Sequence, residues 1–160
     1  MPLARLQRFL DSHKVKYVVI SHSLAYTAQG VAALAHIPGK ELAKTVVVKI
    51  DGAMAMAVVP ASWHVDLPKL RRMLTAKSVE LATEVEFKDR FPDCDTGAMP
   101  PFGILYDMVV FADEALAKDK EIAFNAGSHR ELVRMAWDDF ERLVQPRIMR
   151  LAIHPAASAA

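Results

Sequence analysis

The sequence predicts a mixed-sheet α+β domain, on three observations. Strand-like and helix-like segments alternate irregularly, without the strict strand–helix rhythm of a doubly wound parallel sheet. Two apolar runs, "KTVVVKI" (44–50) and "MAMAVVP" (54–60), flank Asp51-Gly52, a two-residue hairpin signal. The chain has 160 residues, of which 52% are hydrophobic and 24% charged, enough apolar material for one buried core in one domain.

Taken in order, Leu3, Leu6, Phe9 and Leu10 recur at helical spacing, so residues 2–13 read as an amphipathic helix with Pro2 near its first turn. "YVVISH" (17–22) is strand-like. Thr27 then caps a helix through about His36, with Val31, Leu34 and Ala35 on its buried face and "PGK" (38–40) as its stop. After the hairpin, "DLPKLRRML" (66–74) reads as a short helix with a basic outer face. "TEVEFKDRF" (83–91) reads as another, with Thr83 as cap and Glu86 in the capping-box position. Residues 92–103 form a stiff Pro/Gly-rich loop. "MVVFAD" (108–113) and "EIAFNAG" (121–127) are strands. Residues 130–144 fit either a helix throughout or a strand to about Ala136 followed by a helix. "HPAASAA" (154–160) is expected to fray after a single domain spanning 1–153.

The net charge of +1 supplies no overall field toward nucleic acid, so any RNA contact has to be local. The single cysteine, Cys94, excludes an internal disulfide and suits a reducing compartment. "MPLARLQRFLDSHK" interleaves charges with apolar residues and lacks the apolar core of a signal peptide. No apolar run reaches the ~18 residues of a membrane helix. A cytoplasmic protein that contacts neither membrane nor DNA is expected.

Several residues carry potential chemistry. "DTGA" (95–98) has the form of an aspartic-peptidase signature, whose chemistry needs two carboxylates sharing a proton and therefore a dimer. Its context is wrong for that: "RFPDC" precedes it where an apolar strand is needed, and two prolines follow. Cys94 has His129 as its one distant partner for nucleophilic chemistry, and a lone loop cysteine is more often incidental. The six histidines, at 13, 22, 36, 64, 129 and 154, show no paired ligand spacing, so no metal site is expected. "KLRRM" (69–73) reads as a solvated helix face, with phosphate contact as the second reading.

Lys44 is more informative. Strand alternation puts it on the face of Val46, Val48 and Ile50, with Thr45, Val47 and Lys49 pointing the other way. One account is a lysine snorkelling from a strand end. The other is a cation at the mouth of a pocket, placed for a phosphate or a developing oxyanion. "NAGSHREL" (125–132) likewise admits two accounts: a hairpin turn, or a site where His129 binds substrate or positions a water.

Lys44 in "AKTVVVK", Gly97-x-x-x-Pro101 continued as "PFG", and "AGSH" (126–129) followed by "DDFERLV" together resemble the YbaK/EbsC and prolyl-tRNA synthetase editing-domain superfamily. The likeness runs over roughly residues 3–147, and His22 in "SHSLAYTAQGVA" is similar to the histidine after that family's first strand. The resemblance implies a curled, largely antiparallel mixed sheet, a partly open barrel, with flanking helices and a strand over 130–136. It implies a free-standing deacylase that hydrolyses the ester of a mischarged small amino acid on tRNA, with the tRNA acceptor end as partner and an aminoacyl-tRNA synthetase as a second candidate partner. By the same resemblance Lys44 holds the acceptor end, and the loop around Gly97, Pro101 and Gly103 orients the ester through backbone amides. His22, Tyr26, Thr45 and His129 bind substrate; Met99, at a position variable in that family, and Phe102 suggest from this sequence itself an apolar wall suited to a small side chain. No cofactor, metal or protein nucleophile is needed, because an aminoacyl ester is already activated and positioning supplies much of the rate. The rival readings are a non-catalytic tRNA-end or protein-binding module of the same fold, and an aspartic-peptidase-like dimer through Asp95-Thr96-Gly97.

Overall fold

A computed structural model describes residues 3–21 and 41–155. The helix expected from Thr27 to His36, together with His22 and Tyr26, lies outside the described residues.

Helix α1 (Ala4–Ser12) buries Leu6 and Leu10, as the spacing requires. Strand β1 (Tyr17–Ser21) follows it. β2 (Ala43–Ile50) and β3 (Ala53–Pro60) form an antiparallel hairpin in continuous register from Ala43↔Pro60 to Ile50↔Ala53. Asp51 (φ 50°) and Gly52 (φ 85°) both adopt left-handed backbone, as a tight turn matched to strand twist demands. β4 (His64–Val65) leads to α2 (Leu67–Leu74), where the Asp66 carboxylate accepts the Lys69 N–H and Leu70 is fully buried. β5 (Val79–Leu81) precedes α3 (Glu84–Phe87), whose Thr83/Glu86 capping box is formed on both sides. This helix is shorter than the sequence pattern suggests, because residues 88–90 tighten into a 3₁₀ turn.

β6 spans Val110–Asp113, starting two residues later than expected. The Met108 N–H turns back to the Gly103 carbonyl instead of joining the sheet. α4 (Glu114–Ala117), β7 (Glu121–Asn125), β8 (Glu131–Ala136), α5 (Trp137–Val144), β9 (Arg147–Met149) and β10 (Ala152–Ile153) complete the chain. Residues 130–144 are thus strand followed by helix. Leu132, Val133 and Met135 enter the core from β8, and Asp138 and Asp139 complement the positive end of α5.

The described residues form three sheets, with strand orders β5-β2-β3-β6-β9, β1-β8-β7 and β10-β4. The β3–β6 and β6–β9 pairs are parallel and the others antiparallel. A parallel bridge, Leu42↔Ala123, links the two larger sheets. The expected mixed, largely antiparallel α+β architecture is what forms, and among the described residues the sheets do not close into a barrel.

The five-stranded sheet buries both faces. One carries Val47, Met56 and Val58 into the main core with α1, the three-stranded sheet and Phe102, Phe124 and Phe140. The other carries Val48, Ala57, Val59 and Phe111 against Leu70 of α2 and Leu151. Asp113, 1% exposed, pins this second layer: its carboxylate accepts the N–H groups of Ala115, Leu151 and Ala152 at 2.9–3.0 Å.

Candidate functional site

The pairing Lys44↔Val59 puts Lys44 on the face of the smaller apolar layer, while Thr45↔Val58 sends Thr45 toward the main core. Lys44 lines a cavity of about 230 Å³ with Val46, His64, Val65, Leu67 and Leu81. β2, β4, β5 and the start of α2 therefore each contribute a wall. Burial pushes the Lys44 ammonium below the ordinary lysine range. Among the described residues no carboxylate pairs with it, whereas Lys49, five residues further along the strand, is bracketed by Glu80 and Glu86. A half-buried cation without an anion of its own is a ready donor to a phosphate or a polarised carbonyl oxygen. His64 was not legible as a site residue, since one histidine in "WHVD" carries no periodic or spacing signal.

A second cluster forms where residues 94–99 meet the end of β7. The Asp95 N–H donates to the Gly127 carbonyl at 2.8 Å, and the Gly127 N–H donates to the Ala98 carbonyl at 2.9 Å. The buried His129 donates from Nε2 to the Thr96 carbonyl at 2.7 Å, which orients its ring over Gly97. Gly97 sits at φ +84°, and a Cβ there would lie 3.5 Å from His129 Cε1. The N–H groups of Thr96, Gly97 and Met99 donate to no backbone carbonyl among the described residues. At the same strand end, Asn125 Oδ1 is buried without a hydrogen-bond partner.

The structure buries much of the loop expected to face the substrate. Phe102, expected in an apolar wall, is fully buried, with its ring 5.4 Å from Phe124, 5.5 Å from Phe140 and 6.0 Å from Phe9. Its N–H is engaged by the Pro100 carbonyl at 2.8 Å and offers nothing to a ligand. Gly103 has a packing reason to lack a side chain, because a Cβ would lie 2.1 Å from the Met108 carbonyl oxygen and 2.6 Å from Val110 Cγ2. Met99, 4% exposed, packs into the main core, and Pro101 is buried beside it. No hydrogen bond or ion pair among the described residues joins Lys44 to Gly97 or His129.

Neither competing chemistry finds support. Burial pushes the Cys94 thiol up to about 11, with the Tyr106 hydroxyl 3.4 Å from its Sγ and His129 bonded elsewhere. A protonated thiol is a poor nucleophile. Asp95 is exposed in a turn closed by the Ala98 N–H to its own carbonyl, not at the end of an apolar strand.

A family model of the aminoacyl-tRNA editing domain matches residues 22–143. The multifunctional Ser/Thr-tRNA deacylase ProXp-y of Escherichia coli K12 is 27% identical over 150 residues, covering 91% of this chain and 89% of that protein. A proline–tRNA ligase of Bacillus mycoides is 30% identical over 87 residues, which is 54% of this chain but 15% of the ligase. In fold, the chain is similar to a solved structure described as a candidate trans-editing enzyme for prolyl-tRNA synthetase. That match has a TM-score of 0.80 at 22% identity and covers 94% of this chain and 96% of the other.

Proposed function

The chain belongs to the aminoacyl-tRNA editing domain family, and on that premise we propose that it is a trans-acting deacylase, hydrolysing the ester that joins a mischarged small amino acid to tRNA. The observation that carries the reading to this chain's own residues is Lys44: a half-buried ammonium with no carboxylate partner among the described residues, at the wall of a small, largely apolar cavity that it shares with His64. The likeness over nine-tenths of the chain to a Ser/Thr-tRNA deacylase supports the same substrate class. Serine, threonine and alanine are the first amino acids to test.

In this mechanism Lys44 engages the phosphate or ribose oxygens of the acceptor end. The loop at Thr96–Met99 offers amide donors to the ester carbonyl, and the Gly97 N–H is the leading one because its peptide is exposed and held against His129. Water attacks the carbonyl carbon, the tetrahedral intermediate places its charge on the former carbonyl oxygen, and collapse releases the amino acid and a tRNA 3′-terminal hydroxyl. A vicinal tRNA hydroxyl assists the water, so no protein nucleophile is required. Amide donors aimed at the developing oxyanion supply ~3 kcal/mol each in comparable sites. A synthetase is the proposed second partner, since one matched relative is a proline–tRNA ligase; the working compartment is the cytoplasm, where translation occurs.

The test is a panel of aminoacyl-tRNAs incubated with the purified protein. Release of free amino acid from one or more of them, lost in Lys44→Met, supports the proposal. Binding of tRNA without release of any amino acid would identify a non-catalytic module of the same fold.

A further inference from the structure

Helix α2 connects the cavity to the outside of the molecule. Leu67, in its first turn, is a wall of the Lys44 cavity, and Leu70 anchors the helix in the smaller apolar layer. Arg71, one turn on from Leu67 and on the same side of the helix, and Arg72 next to it are both exposed, and neither meets a carboxylate among the described residues. Several other surface cations are neutralised by carboxylates. Lys49 meets Glu80 and Glu86, Arg134 meets Glu41 and Glu121, Arg142 meets Asp139, and Arg150 meets Glu114. Lys69, on the same helix, lies near enough to Glu114 to help hold that carboxyl below the usual carboxylate range.

We infer that Arg71 and Arg72 of α2 form a docking surface for the acceptor-stem phosphates of the tRNA whose 3′ end enters the Lys44 cavity. The inference rests on the deacylase reading for the identity of its ligand. Charge argues for a nucleic-acid backbone: with a net charge of +1 over the whole chain, tRNA has to be held by local, unneutralised cations. Geometry argues for the stem: the arginines lie within two turns of a cavity wall, on a helix fixed at both ends by the Asp66 cap and the Thr75 N–H bonds to Arg71 and Arg72 carbonyls. Arginine forks match phosphate oxygens in pairs, which a lysine point charge does not. Position also divides the labour. The patch holds the stem and touches no reacting atom, so it governs affinity and leaves chemistry alone.

The experiment compares R71E/R72E with a charge-matched control, R8E/K16E, whose exposed cations lie on α1 and ahead of β1. Binding of deacylated tRNA is titrated at several salt concentrations, and hydrolysis is measured on a 3′-aminoacyl-adenosine that lacks the stem. R71E/R72E should bind tRNA at least ~10-fold more weakly, with a slope of log K against log salt shallower by ~2, since each duplex phosphate contact contributes ~0.9. The control should bind as wild type, and the stemless substrate should be hydrolysed equally by all three. R71Q/R72Q, which keeps helix propensity, should show the same direction if the glutamate pair melts early. Unchanged affinity and slope in a folded R71Q/R72Q, or an equal loss in R8E/K16E, would overturn the docking surface. A wild type that binds tRNA through α2 but releases no amino acid from any aminoacyl ester would support the surface and sink the deacylase reading instead.

Discussion

Replacing Gly103 with alanine separates a glycine needed for catalysis from one needed for space. The added Cβ would lie 2.1 Å from the Met108 carbonyl oxygen and 2.6 Å from Val110 Cγ2. Relief requires a backbone shift of more than about 1 Å, since carbon and oxygen in contact sit well beyond 3 Å. The shift is resisted, because the Gly103 carbonyl accepts the Tyr106 N–H at 2.9 Å and the Met108 N–H at 3.0 Å. Overpacking of a tight core costs ~1–3 kcal/mol, and weakening two hydrogen bonds adds ~1 kcal/mol. A total of ~3 kcal/mol in a domain of this size lowers Tm by roughly 10 °C. Thermal and urea unfolding followed by circular dichroism would measure it. Single-turnover deacylation at 10 °C, normalised to folded protein, would show whether chemistry survives; it should stay within about threefold of wild type. A variant with an unchanged Tm and a rate ~100-fold down would refute the packing argument and reinstate Gly103 as an oxyanion donor.

Lys44→Met should lower the deacylation rate by at least ~10-fold, a loss of ~1.4 kcal/mol of transition-state stabilisation, with stability equal to or above wild type. The Lys44 pKa is lower in the folded than in the unfolded chain, so unfolded protein binds more protons between the two values. Wild-type stability therefore gains a contribution as pH rises through the folded pKa toward the ordinary lysine range, and urea midpoints for Lys44→Met should lack that gain. Asp95→Asn should keep deacylation within about threefold, where a proton-sharing peptidase pair would be abolished; complete loss in a folded variant would mean a misplaced catalytic group. Cys94, with its thiol at about 11, should react with iodoacetamide at pH 8 on the order of 100-fold more slowly than an exposed cysteine, and rapid labelling would show that the buried position opens.

What was legible in the sequence follows from which interactions are local. The β2–β3 hairpin, α1, the Thr83 cap, and the face on which Lys44 lies all depend on residues close in sequence, and each forms as its pattern requires. Residues 130–136 were ambiguous because their strand pairs on one side with β1, more than a hundred residues away in sequence. The cavity around Lys44 was invisible for the same reason: its walls come from four elements between Val46 and Leu81, and nothing in "WHVD" marks His64 as one of them. The loop shows the limit most sharply. Gly97 and Gly103 bracket the same two prolines and look interchangeable in sequence, yet they are glycines on different physical grounds. Gly97 adopts φ +84° with room for a side chain, so the constraint there is backbone direction, which a peptide aimed at a ligand can use. Gly103 has an ordinary φ and no room, so the constraint is the Met108 carbonyl beside it. A substitution that adds one methyl group therefore tests orientation at the first position and volume at the second, and only the folded chain distinguishes them.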